Sequence, residues 1–234
     1  MNHPQAVIVL QARFASRRLP GKALPLLGGR PILARCLDRL RDGSAAPVVL
    51  ATTTNPEDDA LASLARREGV AVVRGPEEDV LHRFVLAATR FGATYVVRAT
   101  GDNPAVDIDA PRRVLKTLVE TGADYVVESG LPYGCCVEAI AVDALEKADA
   151  MATSKDDRED VTPLIRRDRL FRAIQVPAPS ELCRLRLRLT VDSLQDLAFM
   201  RRVMADLGNP VAEPSLAVII DAADSRTSTP AAAV

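Results

Sequence analysis

The stretch Val7-Ile8-Val9-Leu10-Gln11-Ala12-Arg13-Phe14-Ala15-Ser16-Arg17-Arg18-Leu19-Pro20-Gly21-Lys22 passes from four consecutive branched apolar residues into a loop crowded with arginine, serine, glycine and lysine. An apolar run of this kind predicts a strand covered on both faces, as in a parallel sheet. The loop that follows it then stands at the carboxyl edge of the sheet, where open α/β folds take their ligands. Pro20 fixes its own φ and Gly21 admits positive φ, so the chain can turn its N–H groups inward while Arg13 and Lys22 add full charges. This is the build of a polyphosphate site. Taken alone, a strand followed by a solvated basic turn would read the same way.

Outward from this stretch, apolar strand-like runs alternate with segments of helical periodicity. Residues 7–10 precede a helix over 31–40, residues 47–51 one over 57–68, residues 70–73 one over 79–90, and residues 95–98 one over 110–120. Such alternation predicts right-handed β-α-β units and a mostly parallel, Rossmann-like sheet. Asn55-Pro56 ahead of Glu57, Asp58 and Asp59 reads as a helix start, and Gly69 and Gly92 as helix stops. After a strand at 124–127 the pattern loosens through Gly130, Pro132 and Gly134, so a smaller element is expected at about 128–180, with helices at 142–151 and near 160–169 and a run at 171–176. Residues 184–191, Arg-Leu-Arg-Leu-Arg-Leu-Thr-Val, read as an alternating strand with arginines on one face, followed by a helix at 195–207. The expected organisation is one domain over 1–224 and a disordered tail over 225–234.

At 234 residues the chain can bury a sizeable core. A formal net charge of −1 gives no reason to expect nucleic acid or an anionic membrane as partner. The arginines of 184–188 with Arg201 and Arg202 lack aromatic platforms for single strands, since aromatics make up 3% of the chain and there is no Trp. Apolar runs are strand-sized, and Met1-Asn2-His3-Pro4 lacks a leader layout, so a soluble cytoplasmic protein is expected. Cys36, Cys135, Cys136 and Cys183 show no C-x-x-C spacing and are read as reduced.

Two acids stand at strand ends. Asp102 lies in Gly101-Asp102-Asn103-Pro104 and Asp192 follows Thr190-Val191; each could instead cap a turn or a helix. Asp107 and Asp109 form a D-x-D string that reads first as helix-capping acids. His82 is expected to face solvent or a partner rather than to act as a base.

The segment 11–24, QARFASRRLPGKAL, resembles the signature of the cytidylyltransferases that act on sugar acids, the KDO and acylneuraminate cytidylyltransferases, and is most similar to their spore-coat polysaccharide branch. The likeness runs from about residue 7 to about residue 207 and includes GDNP at 101–104, EEDVLHR at 77–83, GCCVE at 134–138, DREDVTP at 157–163 and LTVDS at 189–193. It implies the fold of the nucleotide-diphospho-sugar transferases, an α/β sheet with a small acceptor or dimerisation element. It also implies a Mg²⁺-dependent transfer of CMP from CTP to an acidic acceptor, with release of pyrophosphate. The acceptor could be a sugar acid, a phosphonate or a phosphorylated alcohol.

By position in that family, Arg13 and Lys22 would neutralise phosphates, and Asp102 and Asp192 would hold Mg²⁺. Leu10, Ala12, Arg13, Gly21, Lys22, Arg74, Thr100 and Asp102 would surround the nucleotide, although Arg74 could equally be a strand-end cation. Glu138, Arg158, Thr162 and Arg188 would line the acceptor side, with Arg166 and Arg167 further cations suited to an acid. Two departures fall there: Cys136 stands where relatives carry Asp, and Asp160 where His is usual. The family also implies a homodimer. Two other readings stay open, a glycosyltransferase using Asp107 and Asp109, and a catalytically silent nucleotide-binding protein.

Overall fold

The computed structural model describes residues 5–43, 46–208 and 212–227. Among these residues the strands are β1 (Ala6–Gln11), β2 (Leu26–Leu27), β3 (Arg30–Pro31), β4 (Val48–Thr53), β5 (Ala71–Gly75), β6 (Tyr95–Thr100), β7 (Tyr125–Ser129), β8 (Glu138–Ala141) and β9 (Ala173–Pro177). The α-helices are α1 (Ile32–Asp42), α2 (Asp59–Arg67), α3 (Val80–Arg90), α4 (Ala110–Thr121), α5 (Val142–Met151), α6 (Lys155–Glu159), α7 (Pro163–Arg167), α8 (Leu194–Asp206) and α9 (Leu216–Thr227). Seven strands form one sheet in the order β5-β4-β1-β6-β8-β7-β9, and β2 and β3 form a separate antiparallel pair. Strands β5, β4, β1 and β6 are parallel, β8 runs antiparallel to both β6 and β7, and β9 is parallel to β7.

Alternation along the strands divides the core into two layers. Ile8, Leu10, Val48 and Leu50 pack on one face with residues of α1, α2, α4, α8 and α9. Val7, Val9, Val49 and Ala51 pack on the other with α3, α5 and α7. Burial of both faces is what a continuous apolar strand requires, because neither face can be left to water. The chain leaves β1 for β4 and β5 on one side, then returns to β6 on the other. Helix α1 lies on the first face and α3 on the second, so the order reverses at β1 and β6 and opens a crevice at their carboxyl ends. The register sets Gln11 opposite Thr100, so the loop after β1 and the loop after β6 start side by side.

The structure corrects the sequence reading in three places. Residues 184–191 are not a strand: a turn occupies Leu185 and Arg186, and Arg188 makes one isolated bridge to Tyr133. Leu187 and Leu189 are buried as alternation predicts, but Leu185 is 82% exposed, so the pattern spans only half the run. The helix expected near 160–169 is two short helices, α6 and α7, with Asp160 extended between them and Pro163 opening the second. Residues 225–227, assigned to a disordered tail, continue α9; residues 228–234 lie outside the described residues. The region 128–180 is woven into the sheet, with β8 between β6 and β7 and with α5 and α7 in the same core layer as α3.

Candidate active site

The basic loop after β1 closes as the glycine requires. Gly21 has φ +66° and donates its N–H to Phe14 O at 2.8 Å. A Cβ there would lie 2.8 Å from the Phe14 ring, so both conformation and space call for glycine. The loop is also tied down from outside. Buried Asp58 accepts from Phe14 N at 2.6 Å, Thr53 N at 3.0 Å and Thr53 Oγ1 at 2.5 Å, joining the loop after β1 to the end of β4. Gly101 opens the loop after β6, and a Cβ on it would stand 2.9 Å from the Ala12 Cβ, so the absent side chain lets the two loops touch.

Two clefts meet at these loops. The first, of about 340 Å³, is lined by Ala12, Arg13, Lys22, Thr100 and Asp102 together with Ser16, Arg17, Arg18 and Arg83. The second, of about 480 Å³, runs past Arg98, Asn103, Tyr133, Cys136, Glu138, Asp160 and Arg166. Arg18, Thr100, Asp102 and Asp192 border both, so the two acids form the ridge between them.

On that ridge the Lys22 ammonium bridges the two acids, donating to Asp102 Oδ2 and, at 2.7 Å, to Asp192 Oδ1. Asp192 Oδ2 takes Arg188 at 2.5 Å and Arg18 at 3.1 Å. The backbone locks the acids together, with Val191 N donating to Asp102 O at 2.9 Å. Burial alone would raise the Asp192 pKa, but the bonds from Lys22 and Arg188 outweigh it and hold the carboxyl below its ordinary value. Burial likewise opposes the Lys22 charge, and the pairing with Asp102 and Asp192 overcomes it, raising the ammonium above its ordinary value. Ser193, not Asp192, caps α8, in a reciprocal capping box with Asp196, which leaves the Asp192 carboxylate to Lys22, Arg188 and Arg18 at the cleft.

Two carboxylates aimed at one cation suit a hard divalent ion that takes its remaining ligands from water and phosphate oxygens. No group of three or more acidic, His or Cys side chains that could hold a metal occurs among the described residues. Protein and ligand oxygens would therefore have to share the ion.

Other predicted residues have different places. Leu10 is fully buried in β1 and borders neither cleft, so it positions the loop from below. Arg74 is a correction: its guanidinium is committed to Thr53 O at 2.6 Å, Asn55 O at 2.7 Å and Asp59 at 2.5 Å, and it borders neither cleft. Arg158 is a second. Asp79, Asp149, Asp149 O and Ala152 O take its donors, so it clamps α3, α5 and α6 instead of facing an acceptor. Arg167 is held bidentate by Asp157.

Glu138 does line the second cleft, and buried Thr162 donates to it at 3.2 Å from behind. Burial would raise the Glu138 pKa, but Arg98, the Tyr125 hydroxyl and Thr162 together hold it low. Asp160, which replaces the usual His, pairs with Arg98 at 2.7 Å. Arg188 stacks on the Tyr133 ring at 4.6 Å and reaches the site through Asp192. Cys135 is buried, while Cys136 borders the second cleft; all four cysteines are free. His82 meets Asp149 at 3.1 Å, away from both clefts. Asp107 is buried against Arg113 at 2.5 Å and Asp109 begins α4, so neither borders a cleft.

Three residues escaped sequence reasoning: Asp58, whose setting reads as a helix start, Arg98, and Arg83. Arg83 is 2% exposed, yet it forms part of the first cleft. It donates to Pro76 O at 2.5 Å and Glu77 O at 2.9 Å, while its buried Nε has no partner among the described residues. Burial, with the charge of Arg13 added, pushes its pKa down to about 10. A Cβ on Gly75 would stand 2.8 Å from Arg83 Cγ, so this glycine makes room for the arginine.

A parallel sheet with a basic, glycine-turned loop and paired acids at its switch point defines a nucleotidyltransferase. The chain belongs to the cytidylyltransferase family, whose model matches residues 6–206. It is 38% identical over 190 residues to an uncharacterized protein of Methanocaldococcus jannaschii, covering 80% of this chain and 78% of that one. It is 31% identical over 209 residues to the spore coat polysaccharide biosynthesis protein SpsF of Bacillus subtilis, covering 86% and 87%. A solved cytidylyltransferase from Leptospira borgpetersenii superposes with a TM-score of 0.89 at 26% identity, over 97% of this chain and 96% of that one. No helix among the described residues is long and apolar enough to cross a membrane.

Proposed function

We propose that this enzyme transfers CMP from CTP to an acidic acceptor with Mg²⁺ and releases pyrophosphate, working as a cytoplasmic homodimer. The observation that carries the reading is the ridge of Asp102, Lys22 and Asp192 shared by two clefts. One cleft is lined by loop cations, as a triphosphate requires, and the other by mixed charge, as a polyhydroxyl acid requires. Asp102 and Asp192 would hold the ion, and bound there it would neutralise charge developing on the transferring phosphoryl group.

The chain's own residues supply position and charge. Arg13 and Lys22 face the phosphates, and Thr100, held by Asn103 at 2.6 Å, closes the nucleotide side. Arg83 lines the first cleft and adds positive charge on the nucleotide side. Lys22 lies between the two acids, and with a divalent ion held by Asp102 and Asp192 its ammonium would be available to the triphosphate. With no covalent step for the protein to perform, these alignments and charges carry the rate.

The test is a panel of CTP, UTP, ATP and GTP with and without Mg²⁺, read as thermal stabilisation. A ligand that binds only the folded chain raises the melting temperature by mass action. The reading expects CTP to exceed the others and to depend on the metal, with Lys22→Ala abolishing the response while the unliganded protein stays folded. Equal stabilisation by all four, or a wild-type response in Lys22→Ala, contradicts it.

A further inference from the structure

Charges on the wall of the second cleft can be matched one against another. Glu138 and Asp160 share Arg98, and Glu128 is held by Arg113 through two bonds of 2.6 and 2.7 Å. Asp102 and Asp192 are bridged by Lys22, with Arg18 on Asp192. Every acid lining the cleft thus has a cation from the chain, and Arg18 and Arg98 are themselves engaged. Arg166 remains. It lines the same cleft, is exposed, and makes no side-chain hydrogen bond or ion pair among the described residues.

Its neighbours in sequence and in chemistry are not available for the same task. Arg158 is bound by two acids and two carbonyls, and Arg167 lies bidentate on Asp157. Arg166 instead lines the second cleft, and its charge opposes the rise that burial imposes on the Tyr125 hydroxyl. An unpaired guanidinium presents a planar fork of donors that matches a carboxylate or phosphate edge.

We infer that Arg166 is the specificity-determining anchor for the acceptor, binding its oxyanion group while the acceptor's reacting oxygen lies at the Asp102–Asp192 ridge. The inference rests on the cytidylyl-transfer reading and deepens it. It requires an acceptor that carries an acid group remote from the attacking oxygen or beside it on a flexible skeleton, within a cavity of about 480 Å³. It also bears on Asp160: Arg98, shared with Glu138, offsets only part of the charge of these two acids, so a free cation on the same wall is what an anionic acceptor needs.

The test separates this inference from the nucleotide reading. CMP is titrated first into wild type, Arg166→Ala, Arg166→Lys and Arg158→Ala; equal CMP affinity in the Arg166 variants shows an intact first cleft. To the CMP-saturated proteins are then added 3-deoxy-manno-octulosonate and its carboxamide, and glycerol 3-phosphate and glycerol, each followed by calorimetry. The expected result is binding of at least one acid by wild type, with its neutral counterpart at least tenfold weaker. Arg166→Ala should weaken that acid roughly ten- to hundredfold, the range of a charge-assisted pair, and Arg166→Lys should restore part of it. Whichever of carboxylate and phosphate is held identifies the acceptor group. Wild-type affinity in Arg166→Ala, equal binding of acid and neutral partner, or no binding of either acid overturns the inference. Failure of CMP itself to bind wild type would count against the nucleotide reading instead.

Discussion

Asp58 offers the sharpest mechanical test, because its carboxylate ties Phe14 of the loop after β1 to Thr53 at the end of β4. It is 2% exposed and accepts from Phe14 N, Thr53 N and Thr53 Oγ1 at 2.6, 3.0 and 2.5 Å. A hydrogen bond to a charged group contributes about 1.5–3 kcal/mol, and a buried donor left unpaired costs about 1–3 kcal/mol. Thr53 Oγ1 keeps a second bond, from Asn55 N, so the three contributions do not simply add. Asp58→Ala should therefore destabilise by about 3–5 kcal/mol, which at about 2–4 °C per kcal/mol for a chain of this size lowers the melting temperature by roughly 6–20 °C. Asp58→Asn should fall between, since its amide can accept with one oxygen only. With the Phe14 anchor gone, CTP affinity should fall more than the affinity for cytidine, which does not use the phosphate side. The assay is thermal unfolding alongside CTP and cytidine titration. An Asp58→Ala melting temperature within two or so degrees of wild type, together with unchanged CTP binding, would refute the assigned role.

Other expectations follow from the same contacts. Lys22→Met should bind Mn²⁺ more tightly without nucleotide, by roughly fivefold or more for about 1 kcal/mol of competing charge, and CTP more weakly; paramagnetic titration reads the first, and weaker metal binding would contradict it. Asp192 and Glu138 are held below ordinary values of 3.8 and 4.5, so the stability they contribute is complete above those values and is lost as pH falls through their folded values. Lys22 is held above 10.5, so its contribution is complete below that and is lost as pH rises through its folded value. Unfolding scans against pH should show both limbs, with the alkaline limb smaller in Lys22→Met and the remainder coming from Tyr125, Cys36, Cys135 and Cys136, whose pKa values burial raises. Arg74→Ala should lower the melting temperature and leave CTP affinity unchanged, whereas Gly75→Ala, by displacing Arg83, should weaken CTP; the reverse pattern would return Arg74 to the nucleotide site. Gly21→Ala should weaken CTP at least tenfold through its φ of +66° and the 2.8 Å clash with Phe14, as titration would show.

The parallel half of the fold was legible because its strands are apolar on both faces, and Val7 to Leu10 can satisfy that only under two layers of helices. The candidate site was legible where chemistry coincides with a strand end, as at Arg13, Thr100 and Asp102, whereas Asp192 follows a run that forms no strand. It was not legible where a cation's partner lies far along the chain. Arg74 and Arg158 read as free charges until Asp59 and Asp149 are seen to take them, and Arg166 differs from its neighbours only in lacking such a partner. Asp58 was hidden by context, because a carboxylate after Asn-Pro reads as a helix cap in any sequence. Strand β8 has four residues and pairs antiparallel between two strands, so its place depends on neighbours rather than on its own pattern. The Arg-Leu alternation of 184–189 misled because two of its three leucines are buried without a ladder to make them a strand.

The central claim is that the acid pair at the meeting of the two clefts moves a cytidylyl group. CTP labelled at the α-phosphorus, incubated with Mg²⁺ and a panel of sugar acids, phosphonates and phosphorylated alcohols, tests it directly. The account predicts label entering a new phosphatase-resistant cytidine compound with one pyrophosphate released per transfer, and loss of both in Asp102→Asn and Asp192→Asn proteins that remain folded. Transfer that persists in either variant, or label that stays in CTP with every acid while CTP binds, would contradict it.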